Sequence, residues 1–277
     1  MMRRRTVMML LGGAAAAWPL AAPAQEQKPS VVGYLDTYTA ESTGAFLEAF
    51  RKGLSESGYI EGRNVTTEYR YANNQLGRLP ELAADLVRRR VAVIVTPFGT
   101  GAALAAKKST STIPILFLTS TDPVQEGLVT SFNQPGGNVT GLSTMNVELG
   151  AKRLGLLREL FPEVARIVAL INPKSSIAES LTQEALAAAS AIGRQIEMGH
   201  ASTSNDIEAV FARVAQKGFE ALLVSSDQFF TSRRVQFALL AAHYRIPTVY
   251  SYRLFAEAGG LMSYGPSLTS QYRQLGV

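Results

Sequence analysis

The chain has 277 residues, with 27 Lys and Arg against 22 Asp and Glu and a formal charge of +5. Three of those cations are Arg3, Arg4 and Arg5. Without the N-terminal segment the balance is 24 to 22, too even for the basic footprint of a nucleic-acid binder. The absence of Cys excludes disulfides and a lipid-bearing cysteine, and His200 and His243 stand too far apart to suggest a histidine metal site, so no metal and no cofactor is expected.

Residues 1–24 read as a secretory signal peptide. A basic start is followed by an apolar run from Val7 to Leu20, then by Ala22-Pro23-Ala24 with small residues at the cleavage positions. A membrane anchor is the other reading. Gly12, Gly13, Pro19 and Pro23 interrupt the run, which falls short of the about 20 apolar residues that a spanning helix needs. The Arg pair leaves export by either the general or the twin-arginine route open. Trp18, the one Trp, departs with this segment.

Beyond it, short β-branched runs alternate with helical patterns. Strands are expected at 31–35, 65–71, 91–96 and 115–118, with helices at 41–57, 79–90, 101–108 and 124–132. The pattern then restarts. Helices at 147–160, 176–192, 205–217, 231–244 and 252–258 interleave with strands at 166–171, 195–200, 221–225, 248–250 and 261–264. Repeated βα units point to open parallel sheets covered on both faces. One long doubly wound sheet would need nine or more strands, so two Rossmann-like lobes are the better reading. A last helix begins at 267 and meets Gly276-Val277 at the end of the sequence, as though the chain were truncated there.

In open α/β sheets, ligands lie outside the carboxyl ends of the strands. The residues at those ends are Tyr34, Asp36 and Tyr38 for the first strand, and Thr96, Phe98, Gly99 and Thr100 for the third. Ser120, Thr121 and Asp122 follow the fourth. In the second half they are Asn172, Ser175 and Ser176, then Ser225 and Asp227, then Tyr250. Hydroxyls and helix N-termini suit a carboxylate, a buried Asp suits an ammonium, and aromatic rings supply walls. Helix capping is the competing explanation for each Ser, Thr, Asp and Asn in this set.

Catalytic motifs are weak or missing. Gly99-Thr100-Gly101-Ala102-Ala103-Leu104, with Asp122 about 20 residues on, imitates a dinucleotide fingerprint but has Leu104 at the third glycine position. No Gly-x-Ser-x-Gly elbow occurs. No catalytic activity is expected.

Several segments also resemble a known family. Asp122-Pro123-Val124, Gly127-Leu128-Val129 and Pro135-Gly136-Gly137-Asn138-Val139-Thr140-Gly141 are similar to the ABC-importer substrate-binding proteins of the tryptophan/tyrosine type. Gly58-Tyr59-Ile60-Glu61-Gly62-Arg63-Asn64-Val65, Leu160-Phe161-Pro162, Asn172-Pro173 and Ile246-Pro247-Thr248-Val249-Tyr250 agree with it. The resemblance implies a class I periplasmic-binding-protein fold, with two lobes joined at a hinge by three crossing strands. The crossings would fall near 138–143, near 260–265 and beyond Val277. Residues 31–141 with 261–277 would make the N-terminal lobe, and 142–260 an incomplete C-terminal lobe. It further implies a monomeric periplasmic protein that hands a small solute, an amino acid first, to a membrane permease. Asp227 would meet the ammonium, Thr100, Ser120, Thr121 and Ser175 the carboxylate, and Tyr34, Tyr38, Phe98 and Tyr250 would be walls. An exported ligand-sensing domain for a membrane sensor, or a secreted enzyme, are the alternatives.

Overall fold

The computed structural model describes residues 29–277, so the expected signal peptide and Trp18 lie outside the described residues. No helix among the described residues is long and apolar enough to cross a membrane.

The first lobe is a parallel sheet of β1 (Ser30–Asp36), β2 (Val65–Tyr71), β3 (Val93–Thr96), β4 (Ile115–Thr119) and β5 (Val139–Ser143), ordered β2-β1-β3-β4-β5. The second contains β6 (Arg166–Ile171), β7 (Gln195–His200), β8 (Ala221–Val224), β9 (Thr248–Tyr250) and β10 (Met262–Ser263), ordered β7-β6-β8-β9-β10, which is the same winding. These are two separate sheets, as the count of strand-like runs suggested.

Each sheet is buried on both faces, which explains its nearly continuous apolar strands. In the first lobe, α2 (Leu79–Arg88) and α3 (Thr100–Ser109) bury Leu86, Ala102 and Ala106 against Leu35, Ile94 and Phe117. On the opposite face, α1 (Ala40–Glu56) and α10 (Leu268–Gly276) bury Phe50, Tyr272 and Leu275 against Val32, Tyr34 and Leu118. In the second lobe, α4 (Gly150–Leu160) and α5 (Ala178–Ala191) pack Leu154, Leu157 and Ala188 on Ile167, Ala169 and Leu223. The other face carries α6 (Ser204–Gln216), α7 (Gln228–Ser232), α8 (Arg234–Tyr244) and α9 (Arg253–Glu257). There Phe211 and Phe237 meet Val168, Leu170 and Leu222.

Local chemistry sets the helix starts. Thr39 and Ser42 form a reciprocal capping box at α1, and Thr203 and Asp206 form one at α6. Helix α10 can lie against α1 because Gly53 and Gly276 allow backbone contact. A β-carbon on Gly53 would run into the Arg273 carbonyl, and one on Gly276 into the Phe50 carbonyl.

Two expectations need correction. Residues 124–132 are a turn rather than a helix. The Asp122 carboxylate accepts from Val124 N at 2.7 Å and Gln125 N at 3.3 Å, but Gly127 then adopts φ +69. Leu128 N and Val129 N both fold back to the Pro123 carbonyl, closing the turn after one revolution. The lobe boundaries also move. β5 stays in the first sheet through Ser143, and β10 pairs with β9 in the second, so residues 261–263 do not belong to the first lobe.

The crossing segments are therefore Thr144-Met145-Asn146 and Tyr264-Gly265-Pro266. Arg153, on α4, holds both. Its Nη2 donates to the Asn146 carbonyl at 3.0 Å and to Asn146 Oδ1, and its Nε donates to the Tyr264 carbonyl at 2.8 Å. The side chain is buried, and burial lowers the pKa of its guanidinium. Replacing Arg153 with Met would strip these acceptors of their donor and is expected to cost about 3 kcal/mol or more of unfolding free energy. Denaturant titration reads this directly; a midpoint matching the wild type would show that the guanidinium does not hold the crossings.

Candidate functional site

A sheet ordered 2-1-3-4-5 reverses its winding between the first and third strands, and the crevice at that switch point is where open α/β sheets take ligands. Both lobes have this order, so the tips of β1 and β3 on one side and of β6 and β8 on the other are the places to look. The lobes meet there. Tyr38 OH donates to Asp227 Oδ2 at 3.2 Å, and Gly101 N to Ser176 Oγ at 3.2 Å. Ser180 Oγ reaches Glu126 Oε1 at 3.4 Å, and Tyr272 OH reaches Gln228 Oε1 at 3.5 Å.

On the first lobe, Asp36 ends β1 fully buried. Its Oδ1 accepts from Tyr38 N at 2.9 Å, while its Oδ2 has no partner among the described residues. Burial pushes its pKa up to about 7. Phe98 packs beside Tyr38 with ring centres 6.3 Å apart. Gly99 sits at φ +127, a conformation that side chains resist, and a β-carbon there would lie 3.0 Å from Thr37 Oγ1. Thr100, Thr119 and Thr121 form a buried triangle of hydroxyls, with oxygens 2.8, 2.9 and 3.2 Å apart.

On the second lobe, Asp227 is the N-cap of α7, accepting from Phe230 N at 3.2 Å. Asn172 Nδ2 lies 3.3 Å from each of its carboxylate oxygens. Burial raises the pKa of Asp227, and these donors oppose the rise. Ser225 Oγ and Ser226 Oγ are buried without partners among the described residues, as are Gln228 Nε2 and Asn146 Nδ2. The Tyr252 hydroxyl lies near Asn146 and Ser226 without a hydrogen bond to either.

Not every expected residue joins this surface. Tyr34 packs against Tyr69 and Phe50, with centroids at 5.3 and 5.7 Å, inside the first-lobe core. Tyr250 stacks on Phe255 at 4.4 Å inside the second. Tyr34 lies two residues before the end of β1 and Tyr250 is the last residue of β9, but both side chains pack into the helix layer, away from the facing strand tips. Thr96 points its hydroxyl at the Leu116 carbonyl of the neighbouring strand, at 3.5 Å. Asp122 caps its own turn. Ser120 lies buried at the tip of β4, and its carbonyl accepts from Val147 N at 3.0 Å. Ser175 N donates to the Asn172 carbonyl at 3.0 Å in the turn after β6.

Other contributors were missed: Asn146 lies on a crossing, Gln228 opens α7 and Tyr272 is in the middle of α10, where no strand-tip rule looks, while Tyr252, two residues beyond β9, lies where the rule does look but was left out of the set. A cavity of about 360 Å³ opens between the lobes beside this contact. Tyr38 alone of the expected site residues lines it, together with the first turns of α1 and the α7–α8 junction. No group of three or more His, Cys, Asp or Glu among the described residues could hold a metal ion.

The raised Asp36 pKa has a consequence for stability. A carboxyl that holds its proton more tightly folded than unfolded makes the fold less stable as pH rises from about 4 to about 7. The hydroxyls of Tyr34, Tyr38, Tyr71 and Tyr272 lie near it, and no cation of the described residues acts on it. Asp36→Asn should flatten the fall in melting temperature over that window and melt higher than wild type at pH 7.5. Glu184, lifted to about 7 by burial, keeps its own share of the slope. An unchanged slope in Asp36→Asn would reject the assignment.

Comparison with known proteins gives a consistent picture. A conserved domain protein of Vibrio cholerae superposes with a TM-score of 0.78 at 26% identity, over 90% of this chain and 83% of that one. A Streptococcus structure solved with L-Trp gives 0.76 at 23% identity with the same coverage, and shows likeness of fold. The tyrosine-binding protein of Clostridioides difficile is 26% identical over 219 residues, 79% of this chain. The matched region spans only 62% of that protein's length. The two lobes have the class I periplasmic-binding-protein fold. The model of the family described as ABC transporter substrate binding protein matches residues 38–277, and the chain belongs to that family.

Proposed function

We propose that the protein is the extracytoplasmic solute-binding component of an ABC importer, closing its two lobes on a small solute and passing it unchanged to a membrane permease. The observation that carries this reading is the set of buried polar atoms without partners on facing strand tips of both lobes, around the Tyr38–Asp227 contact. Native proteins leave few such atoms, and clusters of them call for a bound group. The family, together with the reading of residues 1–24 as a secretory signal peptide, supports a periplasmic location, and a monomer suffices because one chain supplies both walls.

An amino acid is the favoured solute. Asp227, already oriented by Asn172 and the α7 N-terminus, suits an ammonium. The hydroxyls of Thr100, at the start of α3, and of Thr119 and Thr121, at the tip of β4, suit a carboxylate. The tyrosine-binding relative and the L-Trp complex make aromatic amino acids the first to test. A solute that touches both tips binds the closed state more tightly than the open one, and that difference drives closure.

The test is a thermal-shift screen of residues 25–277 against amino acids, small acids and sugars. A solute at about 100 times its dissociation constant adds about 2.7 kcal/mol of stability. Asp227→Asn keeps a competent helix cap but removes the charge, and is expected to weaken amino-acid binding by about tenfold or more. Unaltered amino-acid affinity in that variant would remove Asp227 from the site. A solute recovered chemically changed would replace binding with catalysis.

A further inference from the structure

The cavity beside the Tyr38–Asp227 contact has a charge pattern that the strand tips do not explain. Arg233 and Arg234, at the junction of α7 and α8, both line it. Arg70, half-buried to a similar degree, meets Asp85 at 2.6 Å, and the buried Arg153 has the Asn146 and Tyr264 carbonyls as acceptors. Neither Arg233 nor Arg234 forms an ion pair among the described residues. Arg233 Nε is buried with no hydrogen-bond partner among the described residues, and its guanidinium carbon lies 5.8 Å from the centre of the Phe229 ring. Arg234 has the Thr231 carbonyl at 3.4 Å.

The opposite wall belongs to the other lobe. It is the first turn of α1, whose Thr39 and Ser42 hydroxyls and positive helix end face the same space, with Phe46 and Tyr38 as flat apolar walls. Glu41, exposed at the rim, is the one acid in the lining, so two cations outweigh it. The buried Nε of Arg233 lacks an acceptor, and the planar fork of a half-buried guanidinium matches a carboxylate.

We propose that this cavity is a binding site for a planar organic carboxylate, gripped by Arg233 and Arg234 from one lobe and by the first turn of α1 from the other. It is distinct from the Asp227 and threonine groups at the strand tips. It rests on the two-lobed binding reading only in needing the lobes together. The carboxylate belongs either to the solute at the strand tips or to a separate molecule seated at the cleft mouth.

Benzoate is the probe, with benzamide as its uncharged isostere, titrated into residues 25–277 by calorimetry and saturation-transfer NMR. Benzoate should bind saturably and raise the melting temperature, and benzamide should bind about tenfold or more weakly. Arg233→Gln with Arg234→Gln should weaken benzoate by a similar factor, and Glu41→Gln should strengthen it about two- to threefold. Competition between benzoate and an amino acid would assign the carboxylate to one shared solute, whereas simultaneous binding would make it a separate molecule. Benzamide binding as tightly as benzoate to the unaltered protein, no binding of either, or full benzoate affinity in the double variant would overturn the proposal. An amino acid that stabilises the protein while benzoate does not would sink this site and leave the importer reading standing. The reverse result would do the opposite.

Discussion

The relative placement of the lobes depends on one buried guanidinium. Arg153 reaches from α4 to the carbonyl of Asn146 on the first crossing and to that of Tyr264 on the second. Gly265 completes the joint: a side chain there would collide with the Ser251 carbonyl and crowd Asn146 Oδ1. Two strands of connection carry little stiffness by themselves. Arg153 ties both to one helix of the second lobe. The strand tips of β1 and β3 are thereby aimed at those of β6 and β8, and everything at the site follows from that aim.

The contacts across the cleft are few and polar. Each hydrogen bond between the lobes contributes about 0.5–1.5 kcal/mol, whereas each buried polar atom left unpaired costs about 1–3 kcal/mol. Tyr38–Asp227 and Gly101–Ser176 stand on one side of that balance. Asp36 Oδ2, Thr37 Oγ1, Ser225 Oγ, Ser226 Oγ and Gln228 Nε2 stand on the other. Closure on an empty site is therefore unfavourable or near balance, and a solute that satisfies those atoms tips it. A clamp closed by its own interface would hold no information about occupancy. On the proposed function, the closing energy would be divided between protein and solute, which is what delivery requires.

The alternation of apolar runs and helical spacing was enough to find both sheets, and the bounds of Val65–Tyr71, Arg166–Ile171, Gln195–His200 and Thr248–Tyr250 are as the pattern predicts. It misread 124–132, because a helical spacing of Val124, Leu128 and Val129 also arises when a single turn buries its apolar residues and Gly127 ends it. It merged α7 with α8, since the break at Arg233 involves neither Gly nor Pro. Tyr34 and Tyr250 were taken for walls because distance from a strand end says nothing about which face a side chain occupies. Arg153 and Arg233 went unseen for a more general reason. A charged residue in a helix reads as solvated surface, and only the tertiary packing that removes water from it reveals a role.

Asp227 shows why capping and recognition were so hard to separate in the sequence. At the switch point of an open sheet, the strand end and the N-terminus of the next helix are the same place. A carboxylate there accepts the helix amide of Phe230 and, on its other oxygen, the hydroxyl of Tyr38 from the opposite lobe. The cap fixes the side chain's rotamer, which leaves the second oxygen pointing across the cleft at no further cost in side-chain entropy. The helix dipole also favours the ionised form against the burial that raises its pKa. On the proposed function, capping is the means by which Asp227 is held ready to recognise a solute. Asp36 is the informative contrast. It ends β1 but leaves the cap of α1 to Thr39, and without helix amides to hold its charge its pKa rises to about 7.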